Sequence, residues 1–219
     1  MGNPSSKPYY LPESKCKGLD SSVNSNQYSL LLLGKTMVGK TCIISQFKTG
    51  EFKENNMTTI GLEKIICNFK FPDGKSISFT IFDNGGQERM KAISLSPLKK
   101  GVVNSIILVY DITDESSLDF IKSFWNEDIK KYDNKNIILA VVANKNDLDD
   151  KRDVPNEKGE EFAKSIGAMF FPVSAKNKEE IKNLFYSIGK KILFPGVGAI
   201  KENEKEFYFL ILFIIYFIG

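Results

Sequence analysis

Eight residues constrain this chain more than any others. Gly34-Lys35-Thr36-Met37-Val38-Gly39-Lys40-Thr41 fits G-x-x-x-x-G-K-[ST], between an apolar run (Tyr28–Leu33) and a stretch with helical spacing (Lys40–Phe47). Two glycines at the hand-over from strand to helix let the backbone curl with its N–H groups inward. The helix N-terminus adds partial positive charge behind them. A loop of this kind grips phosphate. Lys40 would reach β- and γ-phosphates, and the Thr41 hydroxyl would ligate Mg²⁺. The nucleotide-facing set of the loop is Gly34, Thr36, Met37, Val38, Gly39, Lys40, Thr41 and Cys42. Cys42, like Cys67, also stands in an apolar context that suits a small core residue.

Around this loop the chain alternates strand-like and helix-like stretches. Lys64–Phe71 and Ser76–Phe82 flank Pro72-Asp73-Gly74-Lys75 and predict an antiparallel hairpin. Ser105–Tyr110, Asn136–Ala143 and Met169–Val173 are apolar runs of strand length. Ser116–Lys131, Asn156–Ser165 and Glu179–Ile192 carry helical spacing. Strands alternating with helices require crossovers. The expected fold class is therefore α/β: a mostly parallel sheet with one antiparallel edge strand and helices on both faces. Residues 1–27 form a polar arm, 28–194 the folded domain, 195–206 a linker and 207–219 an apolar tail. At roughly 150 residues per domain, 219 residues amount to one domain with extensions.

Two downstream motifs narrow the chemistry, because a phosphate loop alone serves ATPases, kinases and GTPases alike. Asp83-Asn84-Gly85-Gly86-Gln87 follows a strand. A carboxylate at a strand end is placed to hold the Mg²⁺ shell, the Gly86 N–H can meet a γ-phosphate, and Gln87 can orient an attacking water. Asn144-Lys145-Asn146-Asp147 ends the Asn136–Ala143 run. The Asp147 carboxylate can accept from both N1–H and the 2-amino group of guanine, and adenine offers neither. Asn144 would tie this loop back to the phosphate loop, and the Lys145 stem would cover one ring face.

Composition excludes other classes. There is no histidine, which removes imidazole bases and ligands. Lys+Arg 30 against Asp+Glu 27, without a basic run of five, gives no footprint for nucleic acid. Three cysteines without CxxC spacing point to a reduced, cytoplasmic setting.

The phosphate loop, Thr59-Ile60-Gly61, D-x-x-G-Q, N-K-x-D and Ser174-Ala175-Lys176, in that order over residues 28–194, resemble the Ras superfamily of small GTPases. Val109-Tyr110-Asp111-Ile112-Thr113 and Gly86-Gln87-Glu88-Arg89 look most like its Rab branch, which directs vesicle traffic. The resemblance implies a P-loop small-GTPase fold that binds GTP or GDP with Mg²⁺ and hydrolyses GTP slowly. Gln87 and Lys40 would be its catalytic residues. Thr59 would ligate the metal with Thr41 and Asp83 and sense the γ-phosphate. Phe52 would pack on the guanine, Ala175 would offer its N–H to the guanine oxygen, and Ser174 and Lys176 would complete that loop. An exchange factor, an activating protein and effectors are the implied partners of a monomeric switch.

Departures are specific. Gly85-Gly86-Gln87 resembles the Arf branch, Phe82 replaces the usual tryptophan, and Lys64 follows Glu63 where phenylalanine is usual. Thr36 and Met37 stand where small residues are usual. Together with Asn84-Gly85 they motivate the alternative of a GTP-binding scaffold that scarcely hydrolyses.

The ends suggest the cytosolic face of a membrane. Met1-Gly2-Asn3-Pro4-Ser5-Ser6 fits the myristoylation pattern at Gly2, and Cys16 between lysines is a palmitoylation candidate. No cysteine follows Cys67, so C-terminal prenylation is not expected. Residues 207–219 would span roughly 20 Å as a helix, short of a ~30 Å crossing. An interfacial segment, docking onto the domain and a non-native stretch all stay open for that tail.

Overall fold

The computed structural model describes residues 26–52, 59, 61–71, 75–85, 91–132 and 136–194. Among these residues six strands form one sheet in the order β2-β3-β1-β4-β5-β6. They are β1 (Asn26–Leu33), β2 (Leu62–Lys70), β3 (Ser76–Asn84), β4 (Ser105–Asp111), β5 (Ile138–Asn144) and β6 (Met169–Pro172). Only β2 runs antiparallel, paired with β3. The helices are α1 (Lys40–Thr49), α2 (Lys91–Ser94), α3 (Ser96–Lys99), α4 (Glu115–Phe124), α5 (Asn156–Ser165) and α6 (Lys178–Leu193).

The four-leucine run in β1 shows why the sheet needs cover on both faces. Successive side chains alternate, so Leu30 and Leu32 enter one core while Leu31 and Leu33 enter the other. The first core is closed by Ile43, Ile44 and Phe47 of α1 and by Ile181, Leu184 and Phe185 of α6. Phe47 and Phe185 stack there at 3.8 Å between ring centres. Leu98 of α3, Leu118 and Ile121 of α4 and Phe162 of α5 close the second core. Among the described residues no helix is long and apolar enough to cross a membrane.

The expected α/β architecture and hairpin are present, with shifted edges. β1 starts two residues before Tyr28, at Asn26. The helix expected over 116–131 is α-helical only to Phe124 and continues as a π-helical turn, Trp125–Ile129, where the Lys130 N–H donates to the Trp125 carbonyl at 3.0 Å. The four-residue helices α2 and α3 had no periodicity long enough to read. The turn residues 72–74, the arm up to residue 25 and everything from 195 onward, with Gly2, Cys16 and the apolar tail, lie outside the described residues.

Tyr110 of β4 is fully buried, and its hydroxyl has no hydrogen-bond partner among the described residues. Burial pushes its pKa up from 10 to about 12, against the nearby Arg152 charge. The native state therefore keeps the proton longer than the unfolded chain, so this stability is present below pH 10 and drains away between pH 10 and 12. Tyr110→Phe is expected to melt no lower than wild type at pH 7, since it removes an unpaired buried polar group. It should also lose less stability than wild type between pH 10 and 12. Parallel melting curves across that range would refute the assignment.

Candidate functional site

The chain leaves the central strand β1, builds β2 and β3 on one side, then returns to build β4–β6 on the other. The carboxyl end of β1 is thus the point where strand order reverses, the usual place for a ligand in an open α/β sheet. Loops after β1, β3, β5 and β6 meet there around a cleft of about 320 Å³. Thr36, Met37, Gly39, Lys40, Thr41, Cys42, Phe52, Thr59, Asn144, Lys145, Asp147, Ser174, Ala175 and Lys176 all line it. Asn84, Gly85 and Leu148, outside the expected nucleotide-binding set, line it too.

Close approach dictates the two loop glycines. A Cβ on Gly34 would sit 2.2 Å from the Val109 carbonyl oxygen of β4. A Cβ on Gly39, whose φ is +94°, would sit 2.2 Å from Asn144 Nδ2. Met37 adopts φ +67° without being glycine and is 81% exposed at the rim. Val38 is buried beneath the loop. Lys35 turns outward to Asp114 (3.2 Å) and Ser116 (2.6 Å), fastening the loop to the start of α4.

Lys40 is buried, and its Nζ donates to the carbonyls of Gly34 (2.9 Å) and Lys35 (2.7 Å). Burial lowers its pKa to about 8, opposed by the charge of Asp83. The Thr41 hydroxyl donates to Asp83 Oδ2 at 2.6 Å and lies 2.9 Å from the Thr59 hydroxyl. Asp83 is fully buried; burial pushes its carboxyl up, against the Thr41 hydrogen bond and the Lys40 charge. Its Oδ1 has no hydrogen-bond partner among the described residues. Two hydroxyls and a carboxylate with a spare oxygen form the all-oxygen donor set that a hard divalent cation takes. The residues present fit Mg²⁺.

Thr36 donates its hydroxyl to the Gly85 carbonyl at 3.0 Å, and the Gly85 N–H donates to the Gly61 carbonyl at 3.0 Å. A Cβ on Gly85 would lie 2.1 Å from the Thr59 carbonyl oxygen. The segments around Thr59 and Gly85 are therefore in backbone contact beside the phosphate loop. Gly86 and Gln87 lie outside the described residues.

At the other end of the cleft, Asn144 donates from Nδ2 to the Val38 carbonyl (2.7 Å) and accepts the Ala175 N–H on Oδ1 (3.0 Å). It joins the phosphate loop to the loop after β6. A guanine oxygen at Ala175 would share an N–H that already serves Asn144. Asp147 receives the Ser174 hydroxyl on Oδ1 (2.6 Å) and the Lys176 ammonium on Oδ2 (2.9 Å). Burial pushes the Asp147 carboxyl up, but the Ser174 and Lys176 contacts outweigh it and hold it below the ordinary value. The Lys176 ammonium also lies 5.7 Å from the centre of the Phe52 ring. Lys145, at φ +66°, pairs with Asp111 at 2.6 Å.

Arg152, Gln46 and, again, Asn84 brace the cleft without having been singled out for this from sequence. Arg152 donates to Asn146 Oδ1 at 2.7 Å and braces the Asn144–Asp147 loop. Asn84 donates to the Leu32 carbonyl at 3.2 Å and ties β3 to β1 below the cleft. Gln46 of α1 donates to the Lys176 carbonyl at 3.1 Å.

This parallel-sheet fold, with a glycine-lined phosphate loop and a carboxylate loop closing one cleft, defines a P-loop nucleotide-binding protein. The model of the Ras family matches residues 29–194, and the chain belongs to that family. It is a small GTPase of the Rab branch, a GTP hydrolase. It is 38% identical over 164 residues to the Ras-related protein RAB1BV of Beta vulgaris and 39% identical over 164 residues to the Ras-related protein RABE1d of Arabidopsis thaliana. Each match covers 74% of this chain and 74% of the relative.

Proposed function

We propose that this chain is a Rab-type switch that holds GTP or GDP with Mg²⁺ in the cleft described above and acts in vesicle traffic on the cytosolic face of a membrane. The observation that carries the nucleotide assignment is Asn144, which joins the phosphate loop to the Ala175 loop beside Asp147. One nucleotide then spans both ends. Lys40 and the loop N–H groups neutralise phosphate charge, while Asp147 reads the guanine edge. Thr41, Thr59 and Asp83 would hold Mg²⁺, which neutralises charge at the β–γ bridge when bound. Gln87 aims the attacking water, and Gly86 and Thr59 release when the γ-phosphate leaves. A panel of GDP, GTP, ADP and ATP affinities with Mg²⁺ tests this; ADP binding as tight as GDP would sink it.

The stretch from Gly34 to Gly61 holds no arginine. A partner supplying one should therefore accelerate hydrolysis by about 10³–10⁵. The membrane part rests on Gly2, Cys16 and residues 207–219. Co-sedimentation of the full chain, acylated and unacylated, with vesicles is its check.

A second reading, a scaffold that scarcely hydrolyses, draws on the Thr36–Gly85 hydrogen bond. That bond pins the backbone immediately before Gly86 and Gln87. Thr36→Gly is expected to raise single-turnover GTP hydrolysis by up to about tenfold, the rate equivalent of one such bond. Identical rates in the two proteins would dismiss Thr36 as a brake.

A further inference from the structure

Gln46 is a buried amide on α1, five positions after Thr41. Its Nε2 donates to the Lys176 carbonyl at 3.1 Å, while its Oε1 meets no partner among the described residues. An apolar side chain of equal length would fill this place without burying an unpaired acceptor, so packing alone does not explain an amide here. The bond it makes does. Within Ser174–Lys176 the Ser174 N–H is taken by Glu180 (2.6 Å), the Ala175 N–H by Asn144 (3.0 Å) and the Lys176 N–H by the Ser174 hydroxyl (3.1 Å). Those three partners belong to β5, α6 and the loop itself. Gln46 reaches this loop from α1, the helix whose first residues are Lys40 and Thr41.

We infer that Gln46 is a positioning residue that holds the Ser174–Lys176 loop in register with α1 and so sets how long a guanine nucleotide stays bound. It touches no nucleotide and acts only through the Lys176 carbonyl. The inference rests on reading Ser174–Lys176 as the base-binding loop.

Two substitutions separate positioning from packing. Gln46→Met keeps length and apolar bulk but removes the donor. It should speed GDP release from the preloaded full chain about tenfold, the equivalent of one hydrogen bond. Its melting midpoint without nucleotide should stay at or above that of wild type, and single-turnover hydrolysis of bound GTP should be unchanged. Gln46→Glu sets a carboxylate against a carbonyl and should release GDP faster still at pH 8. On lowering the pH to 5.5 its release should slow towards the wild-type rate, because the protonated carboxyl again offers an O–H donor. Wild type should show no such slowing. Unchanged release in Gln46→Met with a flat pH profile in Gln46→Glu overturns the inference. So does faster release accompanied by a lower melting midpoint and slower hydrolysis, which is the pattern of general loosening. If wild type itself sheds ADP and GDP alike, the base-loop reading fails first, and this inference with it.

Discussion

Asp147→Asn is expected to weaken GDP and GTP binding by roughly 10³-fold or more, in the range seen when a site built around buried hydrogen bonds loses its matching partner. The two carboxylate oxygens are oriented by Ser174 at 2.6 Å and Lys176 at 2.9 Å, so the acceptor pair is fixed before any base arrives. Those same contacts hold the carboxyl below its ordinary value against the opposing effect of burial. It therefore stays ionised at neutral pH. Asparagine can still accept from Ser174 on one side. On the other it presents an amide donor to the 2-amino group of guanine, where donor faces donor. A purine with a carbonyl at position 2 turns that clash into a hydrogen bond. Xanthosine diphosphate should accordingly bind Asp147→Asn better than GDP does, with Mg²⁺ present in both titrations. A variant that keeps wild-type GDP affinity would show that Asp147 does not read the base.

What the sequence revealed followed from how local each signal is. The phosphate loop lies within eight residues between a strand and a helix, so its pattern and context could be read together. The central strands were legible because burial on both faces demands unbroken apolar runs, as in Leu30–Leu33 and Ser105–Tyr110. Helices α2 and α3 were not, since four residues complete scarcely one turn. The π-helical turn after Phe124 likewise keeps the apolar spacing of the helix it extends. Gln46 and Asn84 escaped for a different reason. Gln46 meets a backbone carbonyl 130 residues away and Asn84 one 52 residues away, and a carbonyl has no side chain to betray it. Only the fold makes those partners neighbours. Cys67 lies in the core as its context implied, whereas Cys42 is half-buried on the cleft wall.

Gly39→Ala should cost as much as losing the base contact, although it adds only a methyl group. Gly39 sits at φ +94°, a left-handed conformation that costs an L-residue about 1–2 kcal/mol. Its added Cβ would fall 2.2 Å from Asn144 Nδ2, the atom that donates to the Val38 carbonyl at 2.7 Å. The amide has to swing away. Asn144 then abandons Val38 on one side and the Ala175 N–H on the other, because one side chain makes both bonds. The buried Asn144 amide is left unpaired at a cost of about 1–3 kcal/mol. Together these terms amount to about 2–5 kcal/mol, up to roughly several thousandfold in nucleotide affinity. Asn144→Ala is the informative comparison, since it removes the tie without straining the phosphate loop. It should lose affinity for GDP, but by less than Gly39→Ala. If inorganic phosphate analogues and GDP were both held normally by Gly39→Ala, the coupling of the two ends through Asn144 would be wrong. If only the Gly39 variant failed and Asn144→Ala bound GDP as wild type does, loop strain alone would account for the effect.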